Sequence, residues 1–363
     1  MAARKELPIP SFFNPKNAAK WNYNPSLAQV FAEANSFRKA HRISGAASDK
    51  KRIALTIIDG QKDFCFPEGT LYVAGRSGTG AIDDNARLSS FIYRNAAIIN
   101  AIRKTFDTHF AFQVFFNSFF QTQSGEPLSE HTMIELSADG RYLVNFNYGP
   151  NGKQILHEDV VPNPAICHLI GQSYSWLKDY VKHYCAELAR TGKYTLYLWP
   201  YHCILGTDGH ALAGVLAEAT MFHAFLRGSQ SYAEIKGGGI LTENYSVYKP
   251  EVLLAHDGKT VVGQKNTRFI ETSLRVDAHI IAGQAASHCV ASSIEDVLSE
   301  ILTQDPELAK KVYILRDCMS AVVVPNGPDF TDQAEAALKK FEDNGMHVVN
   351  STDPIESWPG INL

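Results

Sequence analysis

The sequence predicts an α/β protein: a doubly wound, mostly parallel sheet with helices on both faces, carrying an N-terminal extension and an insertion. Three observations predict it. The apolar run Ile53–Ile58 reads as a strand, and after a loop a segment with helical spacing covers roughly Asp84–Phe106, with Leu88, Phe91, Ile92, Ala96 and Ile99 along one side. A second apolar run, Ala111–Phe116, completes a strand–helix–strand unit, which implies a right-handed crossover and parallel pairing. Far downstream, the β-prone Val276–Ala282 leads into Val290, Ile294, Val297, Leu298 and Ile301, again at helical spacing.

The other elements follow in chain order. Residues 1–50 form an extension with Pro8, Pro10, Pro15 and Pro25 among the aromatics Phe12, Phe13, Trp21 and Tyr23. Those aromatics gain by burial, so the arm is expected to pack on the core or on a neighbouring subunit, with a short helix over Gln29–Arg38. The main domain is placed at 51–350 and a C-terminal tail at 351–363. An insertion falls at about 119–194, where Gly140, Gly149, Pro150 and Gly152 mark turns and Tyr174–Leu188 reads as a helix. Tyr194–Leu198 resumes strand character, and Ala211–Leu226 is a helix with Leu212, Val215, Leu216, Met221 and Phe225 as its apolar positions. Tyr313–Leu315 and His347–Val349 are strands flanking a helix near Asp332–Phe341.

The bulk numbers exclude several classes of function. A chain of 363 residues with 45% apolar and 20% charged residues can bury a sizeable core. Its net charge of -4, with no Lys/Arg stripe, gives no electrostatic basis for binding nucleic acid. No run approaches the length of a membrane span, and Met-Ala-Ala-Arg-Lys-Glu-Leu-Pro at the start lacks the apolar core of a signal peptide. The six cysteines include no Cys-x-x-Cys pair, which argues against a zinc ribbon. Reduced thiols and a cytoplasmic location are expected.

The chemistry concentrates in Gly283-Gln-Ala-Ala-Ser-His-Cys289-Val. Cys289 falls where a strand turns into a helix, where unpaired backbone N–H groups and the helix dipole favour an anion. A thiol placed there should lose its proton more readily, and the thiolate is the nucleophile. Asp59 ends the Ile53–Ile58 strand. Parallel strands deliver their C-terminal ends to one edge, so Asp59 and Cys289 are expected on the same rim, where the carboxylate can take the thiol proton. Lys249, in Tyr245-Ser-Val-Tyr-Lys-Pro, is the candidate cation to steady both anions.

Four segments, in order, resemble the isochorismatase-like cysteine hydrolases, most closely their nicotinamidase branch. Asp59-Gly-Gln-Lys-Asp-Phe64 is similar to the family's Asp-x-Gln-x-Asp-Phe, and Trp199-Pro-Tyr-His-Cys to its Trp-Pro-x-His-Cys. Tyr248-Lys249 is similar to its lysine position, and Gly283–Val290 to its nucleophile loop. The resemblance covers about 51–118 and 195–350. It implies the isochorismatase-like hydrolase fold and a triad of Asp59, Lys249 and Cys289. It also implies a cis peptide between Gln284 and Ala285, with the N–H groups of Ala285 and Cys289 forming an oxyanion hole. The implied activity is hydrolysis of a small-molecule amide to a carboxylic acid and ammonia, through a thioester. Phe64, Trp199, His202 and Tyr248 are the implied substrate-binding residues.

The metal motif departs from the family pattern as aligned. Nicotinamidases carry Asp-x-His just after the second strand, and the stretch after Ala111–Phe116 reads Asn117-Ser-Phe-Phe, so Ser118 and Phe120 stand where the ligands belong. His131 and His202, even with Glu126 or Glu130, make a poor site, and no metal or other cofactor is expected. Two alternatives stand beside the amidase: a nicotinamidase with a rebuilt metal site, and a member that has lost catalysis and serves as a binding or scaffold protein. The expected partners are a small amide substrate and further copies of the chain, with neither nucleic acid nor membrane.

Overall fold

In the computed structural model, the described residues are 6–148, 154–157, 160–191, 194–325 and 327–361. The strands in chain order are β1 (Ile53–Ile58), β2 (Ala101–Asp107), β3 (Phe120–Thr122), β4 (Met133–Leu136), β5 (Leu143–Tyr148) and β6 (Gln154–His157). They continue with β7 (Val160–Pro162), β8 (Leu196–Tyr197), β9 (Tyr232–Lys236), β10 (Ala278–Gly283), β11 (Val312–Leu315) and β12 (His347–Val349).

Six of these build the central sheet in the order β12-β11-β10-β1-β2-β9, every pair parallel. The strands β1, β10 and β11 are buried on both faces, and alternate residues of them serve opposite cores. Leu55 and Ile57 of β1 and Ile280 and Ala282 of β10 pack with Leu88, Phe91, Val215 and Phe222 from the helices Gly80–Arg94 and Gly214–Arg227. Ile281 and Ile314 face the other way, toward Ile294, Val297 and Phe341 from the helices Ala291–Gln304 and Thr331–Asp343. This is the predicted doubly wound arrangement. Sequence order reverses between β1 and β10, and the crevice beyond the C-terminal ends of such a pair is where ligands bind in open α/β sheets.

The N-terminal arm packs on the same body. Phe12 meets Tyr93 edge-on at 5.9 Å, Trp21 meets Phe66 at 5.7 Å, and Phe37 of the helix Leu27–His41 meets Phe222 at 5.6 Å. Ser26 caps that helix by accepting from the Gln29 N–H. The insertion makes an antiparallel sheet, β6-β5-β4-β8, covered by the helix Tyr174–Thr191. The turn positions expected at Gly149, Pro150 and Gly152 lie outside the described residues, whereas Gly140 does turn, at φ 73°. Among the described residues, no helix is long and apolar enough to cross a membrane.

Two expectations are corrected. The first helix ends at Arg94, and Ala101–Asp107 is not its continuation but β2. Ala96 and Ile99 prolong the helical spacing in sequence, while Arg103 and Lys104 break the apolar run that would signal a strand. Conversely, Ala111–Phe116 is no sheet strand: it is an irregular buried segment, held by Gln113 donating to the Gly239 carbonyl at 2.9 Å and by a single bridge from Phe116 to Trp199. Its aromatics are apolar because they fill the core beside the insertion. The short strand near Tyr194 survives as β8, but it pairs with the insertion rather than with the central sheet.

Candidate active site

The register Ile58↔Gly283 brings the ends of β1 and β10 side by side. Gly283 sits at φ 122°, and a Cβ there would overlap the Ile58 backbone, so only glycine allows this approach. Beyond β10, the turn Ala286–Val290 carries Cys289 and runs directly into the helix Ala291–Gln304. The peptide between Gln284 and Ala285 is cis. Gln284 anchors the loop: its Nε2 donates to Asp84 Oδ2 at 2.9 Å.

Asp59 follows β1 in the left-handed region, at φ 44°. Its N–H donates to Thr105 Oγ1 at 3.0 Å, and the Thr105 hydroxyl donates back to Asp59 Oδ1 at 2.5 Å, which fixes the carboxylate against β2. The other oxygen, Oδ2, lies 2.9 Å from Lys236 Nζ. That ammonium also reaches Asp107 Oδ1 at 3.0 Å, the Asn244 carbonyl at 3.0 Å and Cys289 Sγ at 3.6 Å. Lys236 is the last residue of β9, and its register partner is Asp107, the last residue of β2. Asp59, Asp107, Lys236 and Cys289 are all buried.

The lysine at the centre is therefore Lys236, and Lys249 is not part of the group. The Lys249 ammonium lies 3.3 Å from Asp296 Oδ1 on the helix Ala291–Gln304. Both lysines precede small or rigid residues, Gly237 and Pro250, but only Lys236 stands at the C-terminal end of a sheet strand. The motif Lys-Gly-Gly-Gly closing a short β-prone run was the available signal.

Burial raises the carboxyl of Asp59, opposed by the Lys236 charge and the Thr105 hydrogen bond. Burial also pushes the Cys289 thiol well up, more than Lys236 lowers it, and the nearby Asp59 and Asp107 charges add to the rise. The resting sulfur is thus a protonated thiol. Proton removal then belongs to the moment of attack.

The Asp-x-Gln-x-Asp motif acts as scaffolding. Gln61 grips the Asp107 backbone twice, Nε2 donating to the carbonyl at 2.7 Å and Oε1 accepting from the N–H at 2.7 Å. Asp63 Oδ2 accepts from the Cys203 N–H at 2.6 Å, beside His202, and Gly209 packs so closely on this carboxylate that a Cβ would overlap it. One short motif thereby positions Asp107 and His202 relative to Asp59.

Asp107, His109 and His202 form a buried group whose ligand atoms lie within 4.8 Å of one another. This corrects the alignment at Ser118 and Phe120: Asp107-Thr-His109 is the Asp-x-His that follows the second strand, once that strand is known to be β2. Ser118 instead bonds the Ala111 carbonyl at 2.7 Å, Phe120 is core, and His131 bonds Tyr197 at 2.9 Å. His202 Nδ1 donates to the Pro200 carbonyl at 2.7 Å, and His109 Nδ1 faces the Gly237 carbonyl at 3.3 Å. Both Nε2 atoms then point at Asp107 Oδ2, at 3.6 and 2.8 Å. Burial lowers the His109 imidazole, toward the neutral ligand form, against the opposing pull of Asp107. Two imidazole ring nitrogens converging on a carboxylate oxygen, with a backbone carbonyl behind each ring, fit a divalent cation. The expectation of no metal rested on the displaced alignment and does not suit this geometry.

A narrow cavity opens on the sulfur. Phe64, Trp199, His202, Ala285 and Cys289 line it, together with Tyr245, His288 and Glu243. Tyr248 is not among the lining residues: its ring packs on Phe269 at 5.3 Å and its hydroxyl bonds Ser273 at 3.1 Å, in the core behind. Trp199 Nε1 donates to the Tyr245 hydroxyl at 2.8 Å, and Tyr245 bonds Glu243.

Burial pushes the Glu243 carboxyl well above the ordinary range, so the native protein keeps this proton to higher pH than the unfolded chain does. The unfolded chain releases it above about pH 4.3, so the Glu243 contribution to stability falls as pH rises past that value. Glu243→Gln, neutral throughout, escapes this loss. Its melting temperature should gain on wild type between about pH 5 and pH 8 in thermal scans, and a gap that stays constant would mean that the native carboxyl is ionised.

No protein-family model and no curated protein matches the chain. Among solved structures it is similar to an Acinetobacter baumanii nicotinamidase/pyrazinamidase, at 18% identity over 84% of this chain and 99% of that one, with a TM-score of 0.45. It is also similar to a yeast nicotinamidase bound to nicotinaldehyde, at 16% identity over 82% and 99% with a TM-score of 0.47. A Pyrococcus horikoshii pyrazinamidase in complex with zinc matches at 16% identity over 82% and 99%, with a TM-score of 0.40.

Proposed function

We propose that the chain is a cysteine-dependent amidohydrolase that cleaves a small-molecule amide to a carboxylic acid and ammonia. The observation that carries this reading is Lys236, whose ammonium lies within 3.6 Å of the Cys289 sulfur and 2.9 Å of the Asp59 carboxylate. Asp59 takes the thiol proton as Cys289 attacks the amide carbon, and its burial-raised basicity suits it to that role. Lys236 stays charged and holds the two anions in one place. The backbone N–H groups of Ala285 and Cys289 receive the oxyanion. Collapse breaks the C–N bond, and Asp59 returns its proton to the departing ammonia. Water, deprotonated by Asp59, then cleaves the thioester, and the proton passes back to the sulfur as the acid leaves.

The walls favour a flat substrate, because Phe64, Trp199, Tyr245 and His288 offer ring faces and edges. The Asp107–His109–His202 group favours a heteroaromatic amide such as nicotinamide within that class. A divalent ion held by Asp107 Oδ2, His109 Nε2 and His202 Nε2 would supply a Lewis-acid contact for a ring nitrogen or oxygen of the substrate.

A screen of primary amides for ammonia release, wild type against Cys289→Ala, tests the reading. Turnover of any amide by wild type should fall by about 10⁴-fold or more in the variant, as for other lone covalent nucleophiles. A variant that keeps full activity would remove Cys289 from the reaction.

A further inference from the structure

The site uses the C-terminal edge of the sheet. At the opposite edge lies a cavity of about 460 Å³, inside the ~300–1,000 Å³ range of small-molecule clefts. It is bounded by the starts of β1, β2 and β9, the same three strands whose far ends carry Asp59, Asp107 and Lys236. Arg52, Arg103 and Arg275 line it, and no aspartate or glutamate does. In a chain of net charge -4, this is a local reversal of sign.

Structural duties account for only part of that charge. Arg275 pairs with Glu271 at 3.0 Å in an exposed contact of little strength. Arg103 donates to the Thr272 carbonyl at 3.0 Å and to Ser273 Oγ at 3.5 Å, with its guanidinium over the Phe269 ring, and the Arg52 backbone N–H donates to Asp277 Oδ2 at 2.8 Å; among the described residues neither guanidinium has a salt bridge. The helices Gly214–Arg227 and Thr267–Leu274 end at the cavity, and their C-termini each present about half a negative charge. Those two ends offset about one unit of the three, and Glu271 offsets a second. About one unit of positive charge is left facing the opening, on guanidinium groups whose planar forks match phosphate oxygens. Ser229 and Gln230 add neutral polar groups, and Tyr232, 59% exposed, adds a flat face at the rim.

We propose that this cavity is a second binding site, separate from the cysteine cavity, for a small phosphorylated metabolite, with Arg52, Arg103 and Arg275 holding the phosphate and Tyr232 stacking on the organic part. The volume exceeds what a bare inorganic ion needs, and the chemistry is that of a phosphate monoester rather than of an uncharged amide.

Calorimetric titration of the full chain at low ionic strength with AMP, pyrophosphate and adenosine tests it, because no turnover is required and the outcome is independent of the hydrolase reading. Wild type should bind AMP and pyrophosphate and not adenosine. Arg52 and Arg275 are exposed, so R52E/R275E should fold, and its affinity for AMP should fall at least tenfold. K16E/K259E carries the same change in net charge away from the cavity and should bind like wild type. R52Q/R275Q, which removes charge without reversing it, should give an intermediate loss. Absence of AMP binding by wild type, equal weakening in R52E/R275E and K16E/K259E, or undiminished binding in R52E/R275E would each overturn the proposal.

Discussion

Lys236→Met should lower kcat/KM for any amide the protein turns over by about 10²–10³-fold, the usual cost of removing one preorganised charge from a reacting centre. Lys249→Met should leave it within about threefold, because that side chain is one-third exposed and serves a single carboxylate outside the cavity. The asymmetry follows from what each lysine touches. Lys236 is fully enclosed and bridges Asp59, Asp107 and the sulfur, so its loss leaves two carboxylates in a buried space with no cation between them. Breaking a buried ionic group in this way costs about 3–5 kcal/mol of stability, so the variant must be assayed where circular dichroism shows it folded. Lys236→Arg is the companion variant. It keeps the charge but is too long and too planar to reach three partners at once, so it should regain stability without regaining turnover. Equal losses from Lys236→Met and Lys249→Met would return the role to Lys249 and dismantle the site as described.

The two lysines also show what was readable from the sequence. β1, β10 and β11 were visible because strands buried on both faces are continuous apolar runs, and β12 through its β-branched pair Val348 and Val349. β2 and β9 were not, because most of their positions are partly or fully exposed and each carries charged residues: Arg103 and Lys104 in one, Glu234 and Lys236 in the other. Missing these two strands displaced everything attached to their ends. Asp107 and His109 went unnoticed because the strand before them was read as helix, and Lys236 because no strand was seen to end there. Asp59 and Cys289 were legible because their strands were. The cavity wall was legible where it lies inside a motif, as for Phe64, Trp199 and His202. It was not legible for Glu243 and Tyr245, which enter from a loop without regular spacing, and Tyr248 shows how adjacency to a supposed catalytic residue misleads.

The metal-binding prediction turns on the same strand end. Dialysed wild type titrated with Co²⁺ should take up a single equivalent and develop visible absorption from coordinated imidazole, and His109→Ala/His202→Ala should lose more than about 100-fold in affinity, beyond the 10–100-fold typical of losing only an outer contact. Saturating metal should also raise the melting temperature, since binding to the native state alone adds about 4 kcal/mol when the ion is present at 1,000 times its dissociation constant. Asp107 decides the outcome. Burial pushes its carboxyl up, but His109 and Lys236 beside it hold it well below the usual range, so it remains an anion with Oδ1 given to Lys236 and Oδ2 turned to the two imidazoles. That second oxygen needs a proton or a cation as partner, because the Nε2 atoms of both rings converge on it. A proton on His109 Nε2 satisfies the 2.8 Å contact and leaves His202 Nε2 at a longer 3.6 Å from the same oxygen. A divalent ion satisfies all three atoms at once. If Co²⁺ leaves both the spectrum and the melting temperature unchanged, the proton on His109 is the answer, and the group is a hydrogen-bonded brace for Lys236 rather than a metal centre.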